Sequence, residues 1–197
     1  MVKRKSKEKR INEIINAAID VFLEKGYENT TMETIAQKAG VSKGGLYHYF
    51  QSKDMILMMV NRKISENIEK MMMDAGECST IKEGILNYVE QYISYWIQHP
   101  KETSFLFLSI AKIMDNKELL KFYKEFMTDY INYFEKVFNL GIQNGEFISH
   151  NTKTSAVTLA AAMDGVLSFL ILDESLQLED VLAHFEEKFI KPIEIVN

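Results

Sequence analysis

The chain has 197 residues, 47% of them hydrophobic, so it can bury a full core without a disulfide or metal staple. Its single cysteine, Cys78, excludes an intramolecular disulfide and any CxxC metal knuckle. The net charge of −5 is unevenly spread: residues 1–53 hold ten basic and six acidic side chains, a net +4, which leaves −9 for the remainder. A basic segment on an acidic body turns one end toward polyanions and repels the rest from them.

The opening MVKRKSKEKR is basic like an export leader, but Asn12, Glu13, Asn16 and Asp20 break the apolar run that such a leader needs. A cytoplasmic location is therefore expected. Two prolines, Pro100 and Pro192, and the lack of alternating periodicity predict an all-α chain of about nine helices. Helix one is expected over 7–25, with Ile11, Ile14, Ile15, Ala18 and Phe22 on one face and Gly26 closing it. Thr31 caps helix two (32–39), Gly40 and Val41 make a turn, and Ser42 caps helix three, which runs to about residue 50. Ser52 caps a long helix four with the stripe Ile56, Val60, Ile64, Ile68, Met71. Five further helices are expected at about 80–98, 102–114, 116–143, 152–172 and 178–190.

Within residues 30–57, TTMETIAQKAGVSKGGLYHYFQSKDMIL, the small residues describe a helix-turn-helix. Ala36 lets two helices approach, Gly40 turns the chain, and Leu46 with Ile35 locks the second helix on the first. Helix three then presents Lys43, Gly44, Tyr47 and His48, a size and polarity suited to a major groove. This stretch, with helix one before it and Lys53 after it, resembles the TetR family of bacterial regulators.

The resemblance implies a helix-turn-helix DNA-binding domain over 1–53, with a basic N-terminal arm, and a helical ligand-binding and dimerisation domain over 54–197, linked by helix four. It implies phosphate contacts from Thr31, Ser42, Tyr47 and Lys53, and base-facing positions at Lys43, Gly44 and His48. Gly45 stands where some members carry a hydroxyl residue. Glu33 stands where some carry a basic residue that reads guanine, a contact that a carboxylate cannot copy.

The body is rich in aromatic residues. Tyr88, Tyr92, Tyr95 and Trp96, with Phe105, Tyr123, Phe126 and Tyr130, are expected to line a cavity for an apolar, aromatic or cationic effector, Glu90 and Asp129 being candidates for charge. Packing is the competing reading for each ring. The eighth helix, apolar almost all round but interrupted by Asp164 and Gly165, is too short for a membrane span and should be buried in protein. The resemblance implies that this helix and helix nine meet a symmetry mate as a homodimer interface, and one short recognition helix would bind weakly alone. No metal or cofactor is expected: none of the four histidines follows a glutamate at di-iron spacing, and HExxH, GxSxG, P-loop and GxGxxG patterns are absent. The expected partners are thus double-stranded operator DNA, a small-molecule effector and a second copy. A helical enzyme and a non-DNA-binding adaptor are the alternatives.

Overall fold

The computed structural model describes residues 6–173 and 175–196; Lys3, Arg4 and Lys5 of the basic arm lie outside them. Among the described residues the chain forms α1 (Lys7–Asn29), α2 (Met32–Lys38), α3 (Lys43–Tyr49), α4 (Lys53–Gly76), α5 (Ile81–Gln98), α6 (Pro100–Asp115), α7 (Lys117–Gln143), α8 (Thr152–Leu172) and α9 (Leu178–Phe185). They divide into two compact units, Met1–Glu66 with Pro100–Leu120 and Asn67–His99 with Lys121–Asn197. The units are packing bodies, cut at a different place from the division after residue 53 expected from the sequence.

In the first unit each element begins at a cap the sequence supplies. Ser6 Oγ accepts the Lys9 N–H at 3.2 Å, and Ile14, Ile15, Ala18 and Phe22 form the buried stripe of α1. At Gly26 the backbone leaves helical geometry (φ 74°), a region that glycine enters without strain, and the chain turns before resuming to Asn29. Thr31 and Thr34 cap each other's N–H groups reciprocally at the start of α2. Gly40 (φ 63°) makes the turn into α3, and Ser52 Oγ accepts the Met55 N–H at 3.2 Å at the head of α4. Pro100 is the first residue of α6, two positions before the expected start, because a proline at that place loses no hydrogen bond. Helix α6 packs on α1 through the Phe105 and Phe22 rings, 6.0 Å apart, with ion pairs Lys101–Asp20 and Lys112–Glu28.

In the second unit the core is Tyr88, Val89, Ile93 and Trp96 of α5, Tyr130, Phe134 and Phe138 of α7, and Leu159, Ala160, Met163 and Leu167 of α8. Helix α8 is not buried all round within the chain: Val157, Phe169 and Leu172 are exposed. Helix α9 ends at Phe185 and is extended by a π-helical turn over Glu186–Ile190. The chain's last segment then forms a clasp. Ile148 donates its N–H to the Ile193 carbonyl and Ile195 to the Glu146 carbonyl, both at 2.8 Å. The Glu146 carboxylate accepts the N–H groups of Ile81 and Lys82, and Lys82 Nζ pairs with Glu186 (2.9 Å) and Glu194 (3.0 Å). The Phe147–Glu194 bridge is an extended pairing that helical periodicity does not foretell.

Candidate nucleic-acid interface and effector site

Helix α3 has seven residues and one buried side chain, Leu46, which meets the inside of the unit with Ile35 of α2; both are fully buried. Anchoring by that single leucine leaves Ser42, Lys43, Gly44, Tyr47 and His48 exposed. Tyr47, beside the buried Leu46, is 43% exposed, a large ring left in water. Ser42 Oγ accepts the Gly45 N–H at 3.0 Å, and a Cβ on Gly45 would crowd that oxygen at 3.1 Å. Nothing lies within 4 Å of where a Cβ on Gly44 would stand, so the fold does not demand glycine there.

Both lysines among the expected contact residues have partners inside the protein. Lys43 Nζ pairs with the Glu33 carboxylate from α2. The hydrogen bond raises the Lys43 ammonium above its ordinary range and lowers Glu33, whose own backbone N–H and the Thr31 hydroxyl assist. Lys53 Nζ donates to the carbonyls of Tyr27 (2.8 Å), Glu28 (3.3 Å) and Thr30 (3.3 Å), and lies 4.3 Å from the Tyr27 ring centre. An ammonium has three donors. The three carbonyls gather round it at the end of α1, so Lys53 ties the α1–α2 junction to the head of α4.

The body's rings separate into two groups. Tyr88, Tyr92, Trp96 and Tyr130 are buried together: Tyr88 stacks on Tyr92 at 5.8 Å, Tyr92 meets Trp96 edge-on at 6.0 Å, and Tyr88 donates its hydroxyl hydrogen to Tyr130 at 3.0 Å. Phe126 stacks on Tyr130 at 6.1 Å, and Tyr95 lies edge-on to Trp96 at 5.2 Å. Tyr123 is half-buried. Phe105, grouped with these rings from the sequence, instead packs on Phe22 in the first unit, because its face of α6 turns to α1.

The charge in this cluster comes from a residue the sequence reading passed over. Tyr92 donates to Asp164 Oδ1 at 2.6 Å. Asp164 is exposed as a residue, yet its carboxyl is raised by burial against the rings, the Tyr92 bond pulling the other way. Burial lifts the Tyr88 and Tyr92 hydroxyls well above the usual phenol range, and Asp164 adds to both shifts. Glu90 and Asp129 are exposed. A signal existed, since an aspartate within an apolar helix needs a partner. Beside Tyr88 a cavity of about 210 Å³ opens, lined by Cys78, Ile81, Gly84, Tyr133 and Phe134 among others. A groove of about 390 Å³ runs along α8 and α9, lined by Ala162, Val166, Val181, His184, Phe185 and Phe189 among others.

Among the described residues, no group of three His, Cys, Asp or Glu side chains is placed to hold a metal ion, and no helix is long and apolar enough to cross a membrane.

Comparison with known proteins gives two adjoining family matches: residues 14–58 fit the model for bacterial regulatory proteins of the tetR family, and residues 62–194 fit that for the C-terminal region of QacR-like proteins. The fatty acid metabolism regulator protein of Bacillus subtilis is 30% identical over 143 residues, 72% of this chain and 73% of that protein. The structure of FadR from Bacillus subtilis in complex with stearoyl-CoA is 24% identical, with a TM-score of 0.73 over 91% of this chain and 98% of that one. A transcriptional regulator from Saccharomonospora viridis in complex with choline is 17% identical, with a TM-score of 0.81 over 96% and 100% of the two chains.

Proposed function

The chain belongs to the tetR family of bacterial regulatory proteins, and from that premise we propose that it is a cytoplasmic homodimeric repressor, released from a palindromic operator by a small apolar, aromatic or cationic molecule. One observation carries the DNA-binding part: a short α3, anchored by buried Leu46, with Lys43, Gly44, Tyr47 and His48 turned outward. Residues 1–53 are the reading head and 54–197 the effector and dimer body. No catalytic role is assigned to any residue.

Dimerisation is read onto α8 and α9. The groove along them and the exposed Val157, Phe169 and Leu172 supply apolar surface that a second copy would cover. Effector binding is read onto Tyr88, Tyr92, Tyr95, Trp96, Tyr123, Phe126 and Tyr130, with Asp164 added and Phe105 set aside. Of the ligands seen on the similar folds, a choline-like cation suits this cluster better than an acyl-CoA. A carboxylate with one hydrogen bond among tyrosine faces attracts positive charge and repels phosphates.

The effector acts through α4, which starts in the first unit and ends in the second. Its far end is held in the body by Tyr133, which donates to the Met72 carbonyl at 2.7 Å, and by Asn67, which donates to Tyr95 Oη at 2.9 Å. Displacing the segment from Ile64 to Met72 would spoil the spacing of about 34 Å that two recognition helices need. By linkage, effector and operator then weaken each other by the same factor. The test is a duplex titration against salt, followed by calorimetry of the effector with and without operator. Salt-insensitive or absent duplex binding favours the adaptor reading, and equal effector affinities in both conditions rule out the α4 mechanism.

A further inference from the structure

The Lys43–Glu33 pair joins the two helices of the reading head at their exposed edge, each side chain being 56% exposed. An ion pair so open to water adds little to stability, so its position invites a reading in terms of DNA. Lys43 has three donor hydrogens and Glu33 about four acceptor sites. Lys43 gives one hydrogen to the pair and keeps two, and Glu33, which also accepts from its own N–H and the Thr31 hydroxyl, keeps a remaining acceptor site on a side chain open to water. The pair therefore need not break on entering a groove.

We propose that Glu33 is a specificity-determining residue, acting with Lys43 as a joined acceptor–donor unit that reads a guanine and an adjacent amino-bearing base. Lys43 donates to guanine O6 and N7, while Glu33 accepts from the N4 amino group of a cytosine one step away. Contact between the two side chains fixes this order, because whichever base Lys43 reaches, Glu33 reaches its neighbour. Where the neighbouring base turns guanine O6 or thymine O4 toward it, Glu33 meets an acceptor and is repelled, and the charge it neutralises is lost to non-specific binding. Gly44, which leaves open space beside Lys43, keeps the approach to the base edges clear. The inference rests on the DNA-binding reading above.

The experiment selects duplexes from a randomised pool with the full-length protein, then measures binding to the selected and to random duplexes. Wild type should select a guanine with a neighbouring cytosine in each half-site. Glu33→Gln should keep the melting temperature, bind random duplex about three- to tenfold more tightly at 0.15 M salt with a steeper salt slope, and discriminate about tenfold less at the cytosine position. That loss should persist when Lys43→Met is present in both proteins compared, which separates reading by Glu33 from release of Lys43. Unchanged base preference in Glu33→Gln, or weaker binding to random duplex, would overturn the inference while leaving the DNA-binding reading intact. Failure of wild type to retain any duplex would overturn both.

Discussion

Tyr92 of α5 and Asp164 of α8 share a hydrogen bond of 2.6 Å, and no lysine, arginine or histidine among the described residues pairs with that carboxylate. A carboxyl raised above its ordinary 3.8 by burial favours folding most below that value and less as pH rises through its raised one. Asp164→Asn removes this dependence. Thermal unfolding of both proteins between pH 4 and 8 should show the variant gaining on wild type toward neutral pH; a constant difference would mean the carboxyl titrates as it does in the unfolded chain. The same variant should weaken binding of benzyltrimethylammonium about tenfold or more, and leave a neutral isostere unaffected.

Lys53 closes the last carbonyls of α1 with all three of its hydrogens. Lys53→Ala should therefore lower stability by about 1–3 kcal/mol, as expected for hydrogen bonds to a charged group, and weaken every duplex alike through the disturbed α1–α2 junction. Denaturant unfolding checks the first effect. Unaltered stability with weakened binding would leave the direct phosphate contact as the sole role of Lys53.

Tyr47 gives the opposite profile. Its ring is exposed, so Tyr47→Ala should leave the melting temperature within about 1 °C. Its affinity for all duplexes should fall together, read by fluorescence anisotropy.

Two glycines separate fold from function in the same way. A Cβ on Gly84 would stand 2.5 Å from the Ala75 carbonyl oxygen, a backbone atom that cannot turn aside. Gly84→Ala should cost about 1–3 kcal/mol or more, a drop in melting temperature of about 2–4 °C per kcal/mol. A methyl at Gly44 meets no protein atom within 4 Å. Gly44→Ala should melt like wild type and lose affinity for duplex.

The reading head was legible because its determinants are local. Thr31, Gly40 and Ser42 set caps and turns within a few residues of themselves, and the Leu46–Ile35 lock follows from helical spacing. The body was legible only as a set of helices. Phe105 has the spacing of a cavity residue, but which neighbour its face of α6 meets depends on contacts with α1, more than eighty residues earlier in the chain. Asp164 looked like an interruption in an apolar helix, since its partner Tyr92 lies 72 residues away. Lys53 carried its family role from sequence, and only the three carbonyls around its ammonium give it a second one.

The clasp at the end of the chain bears on how the protein is made. Lys82 and Glu194 meet across 112 residues of sequence, and the Ile148–Ile193 and Ile195–Glu146 bonds close shorter loops over the C-terminal part of that one. On a ribosome the first unit's last residue, Leu120, emerges while these loops are still open. The loops close only when residues 193–195 have left the exit tunnel. The nascent chain thus has all of its reading head available before its body can seal, and Glu186 and Glu194, which pair with Lys82, are made after α9.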